Sequence, residues 1–310
     1  MGENSGIEWT DHTWNPWVGC TKISPACDHC YAENWAKRAG TPELWQGGRR
    51  RTSSKNWAAP HRWNKEAYLT GKRARVFCAS LADFFDNQVD PAWRDDAWRL
   101  IAATPHLDWL LLTKRPQNIA KMLPPPDLPA WTSIWPNVWL GTTVSNQEEA
   151  ERNIPHLLQV PAALRFLSCE PMLGPIDLLE WLDPTGACCG GPAEMQCEEC
   201  PSRAPWRGTC IGGFDPTIDW VIAGGESGPH ARPASAQWVL ELCDQCERYE
   251  VPFFFKQWGE WHADTSLLTD ETGEPPPRRM RIGKKQAGRL IEGKIWDQVP
   301  SHVRENTYAE

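Results

Sequence analysis

The chain has 310 residues, 41% hydrophobic and 23% charged, enough to bury the core of one α/β barrel-like domain or of two small ones. Its net charge of -8 argues against a protein that coats nucleic acid indiscriminately. It has neither a basic, then apolar, leader nor a run of about 18 apolar residues, which predicts a soluble, cytoplasmic protein with no membrane partner.

The first chemically dense segment is TWNPWVGCTKISPACDHCYAENWAKR, which sets Cys20, Cys27 and Cys30 in one loop running into a helix. Tight cysteine clusters in a chain of this length read as reduced thiolates that bind metal. Three soft thiolates can hold three corners of an iron-sulfur cube and leave the fourth iron open, whereas a structural zinc site normally closes with four protein ligands. A zinc site completed by His29 or a distant cysteine is the alternative.

Residues 37–75 form a basic arm without evident strand or helix periodicity, carrying eleven Lys or Arg against two Glu and interleaved with Trp45, Trp57 and Trp63. That mixture suits phosphate contacts and base stacking, so DNA or RNA is the expected partner. A surface arm anchored by its tryptophans is the alternative. Six apolar runs then follow, beginning at Arg75, Asp108, Val138, Leu164, Ile218 and Val251. Amphipathic stretches with helix starts near Pro91, Asn146 and Ser235 separate most of them. Strands that alternate with helices and are apolar on both faces imply a parallel sheet covered by helices, open or closed into a barrel.

Ligands then belong at the carboxyl ends of the strands. Those ends supply Ser80 and Asp83, then Lys114 and Arg115, then Thr143, Ser145 and Asn146, then Cys169, then Gly225, Glu226 and Ser227, and finally Lys256 and Gln257. Thr143, Ser145 and Asn146 suit hydrogen bonds to a ribose or carboxylate, with helix capping by Asn146 as the alternative. Lys114, Arg115, Lys256 and Gln257 suit an anionic, polar substrate. Between about 183 and 216 a cysteine-, glycine- and proline-rich insertion offers Cys189, Cys197, Cys200 and Cys210 as a zinc ribbon-like site. Cys243 and Cys246 fall inside an amphipathic helix and are assigned no chemistry. Residues 262–310 are expected to wrap the surface as loops and short helices.

IEWTDHTWNPWVGCTKISPACDHCYAE, LLLTKRP, VWLGTTVSNQ, LRFLSCEPMLGPIDL, DWVIAGGESG, PFFFKQWGEW and KKQAGRLIEGKIWD occur in that order. On these segments the chain resembles the radical S-adenosylmethionine superfamily, and within it a phage-associated family of unknown function related to spore photoproduct lyase. The resemblance implies a partial (βα)6 TIM-like barrel with a 4Fe-4S cluster on Cys20, Cys27 and Cys30. It also implies bound S-adenosylmethionine and an external electron donor such as flavodoxin or ferredoxin. The Gly224–Ser227 turn resembles the element that binds the methionine amino group. Cys169 is placed as a hydrogen donor to a radical, as a cysteine acts in related lyases, against the alternative of a buried structural thiol. The spacing departs from the superfamily's commonest motif, with six residues between the first two cysteines instead of three. The implied chemistry is hydrogen abstraction by a 5'-deoxyadenosyl radical; with the basic arm it is read as modification or repair of a nucleic-acid base, with a peptide or small metabolite substrate, or a non-enzymatic zinc-dependent nucleic-acid-binding module, as the alternatives.

Overall fold

The computed structural model describes residues 2–124, 135–182, 217–261 and 280–301. Strand β1 (His12–Trp14) leads to β2 (Trp17–Val18), helix α1 (Tyr31–Arg38), β3 (Arg50–Arg51) and helix α2 (Ser54–Thr70). Then come β4 (Ala74–Cys78), helix α3 (Pro91–Ala102), β5 (Leu107–Thr113), β6 (Val138–Thr143), β7 (Leu164–Cys169), β8 (Trp220–Gly224) and β9 (Phe253–Gln257). Further helices at Gln147–Leu158 and Ala236–Arg248 precede β7 and β9. The main sheet has seven strands in the order β1, β4, β5, β6, β7, β8, β9, all parallel, curled into a half-barrel.

Alternation along the strands divides the core between two faces. On the convex face Cys78, Leu111, Leu140, Leu167, Cys169, Ala223 and Phe255 belong to the large buried cluster shared with the helices. On the concave face Phe77, Leu110, Trp139, Phe166, Trp220, Ile222 and Phe254, joined by Trp9, make an aromatic plug. Gly141 makes room for it, because a Cβ there would lie 2.4 Å from the Phe166 ring. The half-barrel is therefore solid at its base, and its polar strand ends stand above.

The six runs expected to be strands are β4 to β9, and β1 is a seventh that the sequence pattern did not announce. Its three residues, His12, Thr13 and Trp14, pair with Val76, Phe77 and Cys78. The basic arm also departs from expectation, since α2 occupies seventeen of its residues. Ser53 caps it by accepting from the Asn56 amide, and Gly71 ends it in the left-handed region at φ 66°. The arm's tryptophans are turned inward: Trp45 and Trp63 are buried, Trp63 stacks on His12 at 4.4 Å, and Trp57 lies under the Arg51 guanidinium. The anchoring alternative describes Trp63, whereas Trp57 is half-buried and Trp45 lines a cavity at the carboxyl ends of the strands.

The Asn146 side chain caps the helix Gln147–Leu158 by accepting from the Glu149 amide, and Ser235 stands at the cap position of Ala236–Arg248. Near the C-terminus, Phe255 N–H donates to Trp296 O and Trp220 Nε1 to Gln298 O, so this segment covers the outer edge of β9. No helix among the described residues is long and apolar enough to cross a membrane. Cys189, Cys197, Cys200 and Cys210 lie outside the described residues.

Candidate functional site

A cavity of about 330 Å³ opens at the carboxyl ends of the strands. Its wall includes Cys20, Cys27 and Cys30 together with Ser80, Asp83, Lys114, Arg115, Thr143, Gly225, Glu226, Ser227, Lys256 and Gln257, and Phe77 and Leu112 line it as well. The fold thus brings thirteen of the expected residues to one place, ten from strand ends far apart in sequence and three from the loop between β2 and α1.

The first cysteine is set by its backbone. Gly19 has φ +114°, and a Cβ there would meet Gly48 O at 2.4 Å, so only glycine fits. Gly19 N–H donates to Leu81 O and Cys20 N–H to Leu44 O, both at 3.0 Å. Arg115 then reaches the same turn, donating to Thr21 O at 2.8 Å and approaching Cys20 Sγ at 3.7 Å. Asp83 orients that guanidinium at 3.0 Å while also accepting from Thr113 Oγ1 at 2.7 Å and from the Lys114 amide at 3.1 Å. Burial and the Asp83 charge push the Cys20 thiol up to about 11, with Arg115 pulling the other way. A metal that bound there would have to displace that proton.

The rest of the loop is fastened from the opposite side of the mouth. His29 Nδ1–H donates to Glu226 Oε2 at 3.0 Å. Arg232 donates to Glu226 Oε2 through its amide at 2.7 Å and Nε at 2.9 Å, and to Oε1 through Nη2 at 2.6 Å. The same guanidinium reaches Asp28 at 3.1 Å and Pro25 O at 2.9 Å. Burial works to raise the Glu226 carboxyl, but the Arg232 and His29 hydrogen bonds outweigh it and hold it below the usual range. Both Glu226 oxygens are thus committed within the protein. Gly225 is required by packing, since a Cβ would fall 2.0 Å from Trp258 O.

Charge around the cavity is largely matched. Asp83 faces Arg115, Glu170 faces Lys256 at 2.6 Å, Lys22 pairs with Glu33 at 2.7 Å, and Lys284 lies 3.8 Å from Glu8. Lys114 is the lining cation without a carboxylate partner among the described residues. Two buried polar atoms of lining residues also lack a hydrogen-bond partner, Thr143 Oγ1 (residue 1% exposed) and Gln257 Oε1 (3%). The Gln257 amide is oriented by its Nε2, which faces Gly225 O at 3.5 Å, so the unmet atom is an acceptor.

Three expected residues lie elsewhere. Cys169 is fully buried on the convex face, where burial pushes its thiol to about 12, because side chains alternate along β7 and it is Ser168 that faces the cavity. Ser145 Oγ donates to Glu149 Oε2 at 2.7 Å, and Asn146 is the helix cap, so both serve the start of that helix. Sequence reasoning passed over Arg232, which sits in the irregular segment SGPHARPAS, where no periodicity marks a functional side chain.

Among the described residues no three His, Cys, Asp or Glu side chains are gathered closely enough to hold a metal ion. The three thiols share a wall without meeting at a point. Fold and site together define an α/β half-barrel protein with a cysteine-lined cavity at its strand ends. Over residues 4–300 the chain matches the family model described as protein of unknown function (DUF5131), and it belongs to that family. No curated protein and no solved structure matches it.

Proposed function

We propose that the chain is a radical S-adenosylmethionine enzyme with an iron-sulfur cluster on Cys20, Cys27 and Cys30. The observation that carries this reading is the meeting of three thiols from one loop with one cavity at the ligand end of a parallel half-barrel. The donor set fits in kind: three soft thiolates suit a cube with one open iron. The wall fits as well, because Thr143 Oγ1 and Gln257 Oε1 stand without partners. Leaving such atoms unmet costs about 1–3 kcal/mol each, and a bound polar group supplies what they lack.

The cluster and S-adenosylmethionine supply, when bound, hydrogen-abstracting radical chemistry, with electrons delivered by an external donor such as flavodoxin or ferredoxin. Around it the chain's own residues orient and enclose. Arg115, held by Asp83, steadies the first thiol and stabilises its charged form. Lys114 offers its unmatched charge to a carboxylate or phosphate. Phe77 and Leu112 keep part of the wall dry. For the substrate, nucleic acid is the class that the basic arm favours, through its exposed cations.

The test is iron and sulfide analysis of the anaerobically purified full chain, with electron paramagnetic resonance of the reduced protein before and after S-adenosylmethionine is added. About four irons per chain, lost in Cys27→Ala, with a spectrum perturbed by S-adenosylmethionine, is the expected result. Zinc alone, with no iron after anaerobic reconstitution, would sink the radical reading and leave a zinc-dependent binding module.

A further inference from the structure

Residues 19–30 cross the mouth of the half-barrel. The near end is tied to the β4 and β5 side, Gly19 by a backbone bond to Leu81, Thr21 by Arg115, and Tyr31, just past the loop, by its hydroxyl on Ser80 O at 2.7 Å, while Cys20 N–H bonds Leu44 O in the turn that follows α1. The middle of the loop reaches the turn after β8, on the other side. There its ties are His29 to Glu226 and Arg232 to Asp28 and Pro25 O. Arg232 itself is anchored on Glu226 by three hydrogen bonds.

We propose that Arg232 is a positioning residue that latches the three-cysteine loop across the cavity, with Glu226 as its anchor. The inference rests on reading that loop as the cluster-binding loop, but the latch is a property of the metal-free chain and is testable there. A planar guanidinium suits the task, because it can lay two parallel bonds on a carboxylate and still present a nitrogen to a carbonyl. An ammonium supplies charge without that fork. Glu226, on this account, serves the loop and through it Cys27 and Cys30, and its oxygens are not offered to a ligand.

The experiment is site-resolved alkylation of chelator-treated, reduced full-length protein with iodoacetamide, followed by mass spectrometry, comparing the native chain with Arg232→Gln, Arg232→Lys and Glu226→Gln. Freed from its far side, the loop should open locally, and Cys27 and Cys30 should react on the order of tenfold faster in R232Q and E226Q, equivalent to about 1.4 kcal/mol of lost closure. R232K should fall between. Cys20, held from the near side, should change less, and the buried Cys78 and Cys169 should stay unreactive. Equal rates at Cys27 and Cys30 in all four proteins would overturn the latch. So would acceleration that included Cys78 and Cys169, since Arg232 would then be supporting the whole fold. Iron content of the native chain is read separately: latch-dependent rates in a chain that binds no iron would retire the radical reading and keep the latch.

Discussion

Thr143 is a threonine whose hydroxyl sits in a buried wall without a partner. Valine has nearly its shape and no hydroxyl. In the ligand-free protein Thr143→Val removes an unmet polar atom, so the melting temperature should hold or rise by about 2 °C. Affinity for S-adenosylmethionine, measured on reconstituted protein by calorimetry, should fall by about fivefold or more if the bound group supplies that hydroxyl's partner. A drop of several degrees in the ligand-free variant would mean that the hydroxyl already has a partner and points to no ligand. Gly225 makes the opposite case. Its missing Cβ would collide with the Trp258 carbonyl, which as backbone cannot swing aside, so Gly225→Ala should cost at least about 2 kcal/mol in denaturant unfolding. A neutral result would show that the turn can move away from β9.

At the scale of elements, the short strand β1 and the helix α2 are held together by His12, whose ring stacks on Trp63 and whose Nδ1 accepts from the Asn4 amide. Burial lowers its pKa below the usual 6.5, only partly opposed by Asp11, Glu3 and Glu66. The unfolded chain therefore binds a proton at His12 more readily than the folded one does. The stability this histidine contributes is complete above 6.5 and is lost as pH falls below it. Melting curves between pH 7.5 and 5 should show a shallower fall for His12→Phe, which keeps a ring against Trp63 and has no proton to bind; an identical slope would remove His12 from the account. The same two elements mark where the sequence was hard to read. Strands β4 to β9 were legible because each carries a run of large apolar side chains buried on both faces. β1 has three residues, two of them polar, and becomes a strand only because Val76 to Cys78 offer it an edge. α2 was hidden by Pro60 within it and by a cationic surface, although Ser53 and Gly71 are ordinary helix boundaries. Site residues at strand ends were legible from the fold class alone. Cys169 was misplaced because a one-residue step along a strand exchanges cavity for helix layer, and Arg232 was missed because nothing in an irregular segment announces a side chain's partners.

Across the whole molecule, charge is the property that bears on a substrate. Much of the arm's positive charge is spent internally: Arg49 on Asp86, Arg51 on Asp96, Arg73 on Asp108 and Arg75 on Asp11. What remains outward comprises exposed Arg38, Arg50 and Lys72 and a group of three on α2. Pro60, Trp63 and Ala67 are its buried residues, and at 3.6 residues per turn Lys55, Arg62 and Lys65 fall on the opposite, exposed face. Arg62 is drawn to Glu3 there, an exposed pair of little strength. A phosphate backbone could displace that pair, whereas the buried Trp63 on the other face of α2 has nothing to offer a base. Binding through this face should therefore be strongly salt-dependent and nearly indifferent to sequence. In fluorescence anisotropy with a labelled single-stranded oligonucleotide, the variant carrying Lys55→Glu, Arg62→Glu and Lys65→Glu should bind more weakly. The slope of log K against log salt should become shallower by about 2, since each single-strand phosphate contact contributes roughly 0.7. If the variant kept both its affinity and its slope, α2 would not be the nucleic-acid face, and the search for a substrate would turn to small anions that reach Lys114 inside the cavity.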